Sequence, residues 1–338
     1  MNASPAPGRR SWYAGVMAAV LLGLAACTTD FSDRILAFES EGFVRILLYR
    51  DDNLSSSFNS QTDPPLTNAS VALRRTATRL DSIQRTTDSA GIAAFPAVPV
   101  GRYRVEGLAA VLGDSLERIE PAREFTVIAG DTISISVGLR FPSFTVSEAR
   151  NLPIGKKVFV KGIALNGPGT YGDSTVHLAD TATASYIRMS RVRPAPIVPG
   201  DSVQLLGTRA IRDGQPTFNV TLVLIRGDGD PLPPDTVTTA VAASAAGGAL
   251  DAAFVHIPAA TIADTITGVD GRLLTVDDGS GPLGVLLSAN ISFGNQNQLN
   301  AYAPGVRVTL LGLLVPDPLN PGRWILKPRG RPDIAIIP

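Results

Sequence analysis

The side chains that could support nucleophilic or metal chemistry are few in this sequence. Its 338 residues contain one cysteine, Cys27, and two histidines, His177 and His256. A catalytic thiolate needs a histidine beside it, and a zinc site needs several Cys or His ligands at characteristic spacing. Each histidine lies between two apolar residues of a strand-like run, so each is predicted to point to the solvated outer face of a strand. The sequence therefore predicts no catalytic residue, no metal site and no cofactor.

One acidic, glycine-rich stretch, Asp277-Asp278-Gly279-Ser280-Gly281, has the composition of a calcium or phosphate loop. It lacks the spacing of an EF-hand and the lysine of a P-loop, and it joins two apolar runs. Asp-Gly supplies the positive φ that tight hairpins need, which favours a turn. Asp180 and Asp201 also stand at strand ends, where Asp is common. These positions give no acid–base pair, and the protein is predicted not to be an enzyme.

The flanks of Cys27 suggest another use for its thiol. Arg9 and Arg10 precede an apolar, small-residue run over residues 12–26. This run is shorter than the roughly 20 residues that cross a bilayer as a helix, and it ends in small residues. The pattern predicts a secretory signal peptide over residues 1–26.

The segment Leu24-Ala25-Ala26-Cys27 resembles the lipobox of bacterial lipoproteins. The resemblance implies cleavage before Cys27, acylation of that residue, and a lipidated tether over residues 27–42. Because Thr28 follows rather than an aspartate, it also implies the outer membrane as the destination. The membrane is thus a predicted partner through the lipid on Cys27, and the resemblance leaves open which side of the membrane the protein faces.

The rest of the chain has the composition of an all-β protein. It contains 32 Gly and 26 Pro, and its Val, Ile and Thr residues fall in short alternating runs. The predicted architecture is an N-terminal β-sandwich followed by two OB-like β-barrels, after the cleaved signal peptide.

Residues 43–142 contain five runs typical of half-buried strands, at 43–49, 69–75, 91–95, 101–108 and 131–139. A polar, proline-bearing stretch at 50–68 is predicted to be a surface loop. The segment resembles the carboxypeptidase regulatory-like, prealbumin-type sandwich modules of secreted bacterial proteins. The resemblance rests on turn and core positions, which are Ala69, Val71, Leu73, Thr87, Asp88, Gly91, Phe95, Val98-Pro99-Val100-Gly101 and Tyr103. It implies a fold and no chemistry.

Residues 143–226 follow a different scheme. A short helix, a Pro-Ile-Gly turn and a strand with Val158 and Val160 on one face and Phe159 and Lys161 on the other are predicted first. Further strands follow, the fourth after Pro199-Gly200-Asp201. This order resembles the OB-fold modules attached to extracellular bacterial nucleases.

Residues 249–338 repeat this scheme, and "YAPGVRVTLLGLLV" mirrors "VPGDSVQLLGTRAI". One turn and one strand repeated in this way predict a second OB-like domain. Residues 227–248 are predicted to be a proline-stiffened linker with a short helix that ends at Gly247-Gly248.

Charge distinguishes the first OB-like domain. The chain has 30 Lys and Arg against 30 Asp and Glu, whereas residues 143–226 have ten against five. OB folds that hold single-stranded nucleic acids combine a basic groove with aromatic rings. The candidate residues for an anionic ligand are Lys161, Tyr171, Tyr186, Arg188, Arg191, Arg193, Arg209 and Arg212. A merely solvated basic face and contact with anionic lipid A head groups near the anchor are the alternative interpretations.

Two functions follow from these features. The first is a non-catalytic, lipid-anchored cell-envelope protein that acts as a binding or scaffold module, with an envelope protein as partner. The alternative is an accessory subunit that binds an anionic polymer, nucleic acid or polysaccharide, for a separate extracellular degradative enzyme. The sequence leaves the choice of ligand open.

Overall fold

The computed structural model describes residues 40–77, 82–108 and 116–338. These residues form two compact units. The first contains residues 40–50, 57–108 and 119–138, and the second contains residues 51–56, 116–118 and 139–338. The predicted signal peptide, Cys27 and the tether up to residue 39 lie outside the described residues.

The N-terminal region is an all-β sandwich of two four-stranded sheets. Its strands are β1 (Glu41–Arg50), β2 (Ser70–Arg75), β3 (Ser82–Thr86), β4 (Ile92–Pro99), β5 (Gly101–Glu106), β6 (Glu117–Arg118), β7 (Glu124–Val127) and β8 (Thr132–Arg140). The strand orders are β4-β1-β8-β6 and β3-β2-β5-β7. All five predicted strands are confirmed, while β3, β6 and β7 lacked the apolar alternation that would have indicated them.

Alternation of apolar residues accounts for the core of this sandwich. In β1, Val44, Ile46 and Leu48 are fully buried, and the residues between them are exposed or half-buried. Val71 and Leu73 of β2 are also fully buried, and so is the small Ala72 between them. Burying one such side chain stabilises a fold by about 1.5–3 kcal/mol relative to leaving it exposed. The alternation in sequence is therefore the main energetic reason for these strands.

The motif around residues 87–91 is structural, as its turn residues predict. The hydroxyl of the buried Thr87 accepts a hydrogen bond from the Ala69 amide at 2.9 Å. The Asp88 carboxylate accepts from the Ile92 amide at 2.9 Å, which closes the turn. Gly91 has a φ of +73°, and a Cβ there would lie 2.6 Å from the Leu48 carbonyl oxygen. Only glycine fits this position without strain.

From residue 143 onwards the second unit forms a closed five-stranded barrel, hereafter the first barrel. Its elements are β9 (Ser143–Thr145), α1 (Val146–Arg150), β10 (Lys157–Ala164), β11 (Val176–Asp180), β12 (Ser185–Ser190), β13 (Ser202–Arg212) and β14 (Gln215–Gly227). Helix α1 starts at a capping box in which Thr145 and Glu148 bond each other's backbone amides. Neighbouring strands follow the order β10-β11-β12-β14-β13, and β13 pairs back to β10. This is the strand order of an OB fold.

The faces of β10 are divided as predicted. Val158 and Val160 lie in the barrel core. Phe159 belongs to a separate apolar cluster with Phe141 and Leu206, and Lys161 is exposed.

A second barrel of the same topology follows. Its elements are β15 (Asp235–Thr236), α2 (Thr239–Ser244), a 3₁₀ turn (Ala245–Gly248), β16 (Phe254–Gly268), β17 (Gly271–Asp277), β18 (Leu283–Ser288), α3 (Gln296–Asn300), β19 (Arg307–Pro316), β20 (Trp324–Lys327), a second 3₁₀ turn (Arg331–Asp333) and β21 (Ile334–Ile336). Strands β16 to β20 pair in the order β16-β17-β18-β20-β19, and β19 closes on β16. The predicted second copy of the fold is thus present.

The duplication extends further upstream than the repeated turn indicated. In the first barrel β9 pairs in parallel with β10 and leads into α1, and in the second β15 pairs in parallel with β16 and leads into α2. Within the predicted linker 227–248, residues 235–248 are therefore the counterpart of β9 and α1. The short helix predicted there is confirmed, and its residues Ala242 and Ala243 are buried in the core of the second barrel.

Candidate binding groove on the second barrel

OB folds bind ligands on the outer face of their second and third strands, between the loop that joins strands one and two and the loop that joins strands four and five. In the first barrel that face is made by β11 and β12. The side chains of Val176, Leu178, Ile187 and Met189 fill the barrel core. Because side chains alternate along a strand, the outer face consists of His177, Ala179, Tyr186 and Arg188.

The outer face of the first barrel is covered by the second barrel. The Tyr171 hydroxyl, in the loop before β11, donates to the Lys327 carbonyl oxygen at 2.8 Å. The Lys327 ammonium lies 4.4 Å from the centroid of the Tyr171 ring. Arg329 donates from a terminal guanidinium nitrogen to the Leu165 carbonyl oxygen at 3.0 Å. Leu165, Tyr171, Ala179 and Tyr186 accordingly belong to the same apolar cluster as the core of the second barrel.

A buried carboxylate fixes the other end of this interface. The Asp251 carboxylate accepts a hydrogen bond at 2.7 Å from the side-chain Nε2 of Gln215 in the first barrel. It accepts another at 2.7 Å from the indole nitrogen of Trp324 in the second. Burial raises the pKa of Asp251, and the hydrogen bond from Trp324 opposes that effect. Arg150 lies nearby and donates to the carbonyl oxygens of Tyr186 at 2.6 Å and Gly248 at 3.2 Å. The bonds from Gln215 to Asp251 and from Arg150 to Gly248 cross between the barrels, and their buried polar groups would be costly to leave unpaired.

The eight residues predicted to bind an anionic ligand do not form one surface. Tyr171 is only 2% exposed, and Tyr186 is buried with its hydroxyl 2.5 Å from an Asp235 carboxylate oxygen. Arg188 is mostly buried and forms an ion pair with Asp213 at 3.0 Å. Arg209 is buried and donates to the Arg150 carbonyl oxygen at 3.2 Å. Neither aromatic ring offers an open face for stacking.

Four of the predicted cations remain exposed. They are Lys161, Arg191, Arg193 and Arg212. Arg212 lies 3.9 Å from the Asp213 carboxylate, a long and solvated ion pair. Of the predicted cations of residues 143–226, two are therefore largely buried, Arg188 and Arg209, and four lie scattered on the surface.

The prediction that His177 is solvated is wrong. Its side chain is 1% exposed, because β11 lies under the second barrel. Its Nδ1 is 3.0 Å from the Asn166 side-chain oxygen, which is an acceptor only, so Nδ1 carries the proton. Burial lowers the pKa of His177 to about 3, with Arg188 and Lys327 acting in the same direction. His256 is half-buried, with its Nε2 3.1 Å from the Thr309 hydroxyl.

The loop at 277–281 is a hairpin turn, as predicted, and it also caps a helix. It connects the antiparallel strands β17 and β18. The Asp278 carboxylate accepts from the Thr239 amide at 3.1 Å and from the Thr239 hydroxyl at 2.8 Å, at the start of α2. Partial burial would raise the pKa of Asp278, but hydrogen bonds from Ser280 and Thr239 outweigh it and lower the pKa to about 2. The ionised carboxylate therefore ties the hairpin to the start of α2.

The equivalent outer face of the second barrel is open. It is a groove of about 480 Å³ whose floor includes Leu273 and Leu286. The loop between β16 and β17 and the loop between β19 and β20 form its walls. We call this surface the β17–β18 groove. It occupies the position at which OB folds bind their ligands.

Apolar side chains at the groove are unusually exposed. Val269 at the tip of one loop is 95% exposed, Leu319 at the tip of the other is 79% exposed, and Ile266 is 60% exposed. All three line the same groove. Clusters of exposed large apolar residues mark interaction sites more often than isolated ones do.

The charged residues of the groove are mainly acidic. Asp270, Asp317 and Arg323 are its charged lining residues. Asp317 stabilises its own loop, because its carboxylate accepts from the Leu319 amide at 2.9 Å and from the Asn320 side chain at 2.7 Å. Arg323 donates to the Pro282 carbonyl oxygen at 2.9 Å. The groove thus combines apolar walls with an exposed carboxylate, Asp270.

Two short loop sequences indicate this groove, although the net charge of the domain does not. In the strand order of the second barrel, "GVDG" at 268–271 joins the first and second strands and "DPLNPGR" at 317–323 joins the fourth and fifth. These are the two ligand-binding loops of an OB fold. Each presents one large apolar residue in a turn-forming context, which core packing does not explain.

Within the described ranges, no three His, Cys, Asp or Glu side chains are grouped so that they could hold a metal ion. No helix among these residues is long and apolar enough to cross a membrane.

No protein-family model and no curated protein matches this sequence. Among solved structures, the chain is similar to the p204 HINb domain, at 12% identity over 52% of this chain and 95% of that chain, with a TM-score of 0.25. The Ifi202 HINa domain, solved in complex with double-stranded DNA, matches at 11% identity over 53% of this chain and 94% of that one, with a TM-score of 0.25.

The minor pilin GBS52 of Streptococcus agalactiae matches at 14% identity over 30% of this chain, with a TM-score of 0.23. The match spans 45% of the length of that pilin. At such scores, none of these similarities carries an argument about function.

Proposed function

We propose that this protein is a non-catalytic, lipid-anchored protein of the bacterial outer membrane whose paired OB-like barrels form a binding module. The ligand site of the module is the β17–β18 groove. The observation that carries this proposal is the exposure of Val269, Leu319 and Ile266 around a groove on the face that OB folds use for binding.

The arrangement of titratable groups supports a binding role rather than catalysis. A general base needs a pKa near neutrality and access to a substrate. The pKa of His177 is lowered to about 3 within the interface between the barrels. Asp278 is committed to capping α2, and Asp251 is buried between Gln215 and Trp324. The groove itself contributes Asp270, Asp317 and Arg323, of which the last two hold the loops in place.

The anchor rests on the resemblance of Leu24-Ala25-Ala26-Cys27 to a lipobox. More than one acyl chain on Cys27 would give firm membrane attachment. Metabolic labelling with an alkyne fatty acid tests it. The native chain should take up the label and sediment with the outer membrane, and Cys27→Ser should lose both properties. Labelling that persists in Cys27→Ser would refute the anchor.

Photocrosslinking in living cells tests the binding role. Benzoylphenylalanine at position 319 should yield discrete adducts when the cells are irradiated. The same residue at position 211 is the matched control, because Ile211 is also an exposed apolar residue but belongs to the first barrel. Equal adduct patterns from both positions, or none from either, would contradict a binding role for the groove.

An accessory role in polymer degradation is the second candidate. Its supporting observation is the exposure of Lys161, Arg191, Arg193 and Arg212 on the more basic barrel. Binding of an oligonucleotide or anionic polysaccharide should then weaken steeply as salt rises, because counterions are released on binding. The pair Arg191→Ala and Arg193→Ala should reduce the affinity and the salt dependence. Unchanged binding in this double variant would exclude these cations from the site.

A further inference from the structure

The covered face of the first barrel indicates what kind of ligand the equivalent open groove of the second barrel could bind. In the first barrel the outer face of β11 and β12 is occupied by polypeptide, namely the segment of the second barrel that contains Lys327 and Arg329. The contacts are a lysine over an aromatic ring, backbone carbonyl groups and apolar side chains. In the copy where this face is filled, it therefore binds protein.

A second copy of this chain cannot fill the open groove in the same manner. The segment that covers the first barrel is already engaged within its own chain through Lys327, Arg329 and Asp251. These groups are buried or half-buried there. An occupant seated in the same manner would therefore be a segment of another protein.

Charge indicates the chemistry of that segment. Two of the three charged lining residues are carboxylates, and Asp270 is the one exposed at the loop tip. Asp270 also acts on the neighbouring interface, where burial lowers the pKa of Lys327 and the carboxylates of Asp173 and Asp270 oppose that shift. A phosphate backbone would meet repulsion from Asp270, whereas a lysine or arginine would be attracted.

We infer that the β17–β18 groove docks an extended, apolar polypeptide segment that carries a lysine or arginine, supplied by a partner protein. This inference rests on the proposed binding function of the groove and names its ligand class. An apolar side chain of the segment packs between Val269 and Leu319 and covers Leu286 below them. The cation pairs with the Asp270 carboxylate at the rim.

A peptide selection on the full chain tests the inference. The lipidated protein is held in phosphatidylcholine nanodiscs, and a random phage-displayed peptide library is first depleted on empty discs. We expect enrichment of peptides that combine several apolar residues with a lysine or arginine. Enrichment of acidic peptides, or of apolar peptides without a cation, would overturn the stated chemistry.

Variants then locate the binding. Fluorescence anisotropy of the labelled consensus peptide should show an affinity loss of at least about tenfold for Leu319→Asp. Asp270→Lys should weaken binding of the same peptide, and Ile211→Asp on the first barrel should leave it unchanged. Leu319 is 79% exposed, so its substitution does not disturb the core. Equal binding by Leu319→Asp and the native chain would place the peptide elsewhere and refute the inference.

Two other probes separate failure of the inference from failure of the binding function. An oligo-dT strand and the neutral sugar maltohexaose are titrated against the same nanodiscs. If either one binds and Leu319→Asp abolishes that binding, the groove is a ligand site but its ligand is not a peptide. If none of the three probes binds and position 319 yields no crosslink, both the inference and the binding function fall.

Discussion

The two barrels share one topology and differ in what covers them. Each begins with a short parallel strand and a helix, and each closes through the same order of five strands. In the first, the face of the second and third strands is sealed by the other barrel, whereas in the second it is open. Two cations of the first barrel are also withdrawn from solvent, because Arg188 pairs with Asp213 and the buried Arg209 donates to the Arg150 carbonyl oxygen. The duplicated fold therefore buries this face in one copy and leaves it open in the other, where we propose the binding site.

The largest effect on stability should come from removing the aromatic ring of Tyr171 from the interface between the barrels. Tyr171→Ala removes a buried ring that packs against Lys327, and we expect it to lower the free energy of unfolding by about 3–5 kcal/mol. Tyr171→Phe is the matched control, because it removes only the hydrogen bond to the Lys327 carbonyl and should cost about 1 kcal/mol. Denaturant unfolding followed by Trp324 fluorescence measures both. A cost for Tyr171→Ala no larger than that for Tyr171→Phe would show that the ring does not hold the barrels together.

The buried histidine should make the interface sensitive to acid. The pKa of His177 falls from 6.5 to about 3 on folding, so the unfolded chain binds more protons between these values. Stability from the neutral imidazole is therefore complete above pH 6.5 and is lost as the pH falls towards 3, at up to about 1.4 kcal/mol per pH unit.

The variant His177→Gln isolates this contribution, because glutamine does not titrate. The difference between the unfolding free energies of the native chain and His177→Gln should change with pH across that window and level off above it. A difference that stays constant from pH 7 to pH 4 would show that His177 titrates in the folded protein as it does in the unfolded chain, and therefore that it is accessible to solvent.

The helices that precede the barrels should respond differently to loss of a carboxylate. Helix α1 is capped only by its neighbours Thr145 and Glu148, whereas α2 has its local N-cap, Thr238, and in addition Asp278 from a distant hairpin. Asp278→Ala should destabilise the second barrel by about 1 kcal/mol, as loss of an N-terminal cap does. Hydrogen exchange of the Thr239 and Ala240 amides measures the local effect. Unaltered exchange at both amides would mean that the hairpin does not cap the helix.

The smallest expected effect is on stability at the groove. Leu319→Asp should change the free energy of unfolding by less than about 0.5 kcal/mol, because exposed substitutions seldom do more. Since Leu319 is 79% exposed, its only loss should be in binding. Thermal unfolding of Leu319→Asp beside the native chain checks this, and a clearly lower melting temperature would assign Leu319 a structural role.

Much of the fold could be predicted from local patterns. Alternation in residues 43–49 placed β1, and Pro304-Gly305 matched Pro199-Gly200 as the turn before the fourth strand of each barrel. Gly200 and Gly305 have φ values of +103° and +88°, so glycine marks both turns for a backbone reason. Strands such as β3, with mostly exposed side chains, were missed because no apolar alternation distinguishes them from a loop.

The candidate site was less predictable. The positive charge of residues 143–226 indicated a site on the first barrel. In the structure, however, Arg188 forms an ion pair with Asp213, and Arg209 donates a hydrogen bond to the Arg150 carbonyl oxygen. A sequence lists the cations of a strand and does not indicate which of them a distant segment will cover. His177 was misplaced for the same reason, since outward on a strand means solvated only if nothing packs on that strand.

The amino-acid sequence by itself determined the all-β class, the duplication and the turns, because these depend on neighbours within a few residues. The tertiary structure alone decided which of two equivalent faces stays open. That choice depends on Asp251, Lys327 and Arg329, which contact the first barrel. Lys327 and its partner Tyr171 are 156 residues apart in the sequence. Contacts between residues so far apart form only when the chain packs, and no local sequence pattern encodes them. The packed structure therefore decides that the groove with Val269 and Leu319 at its rim is the open one.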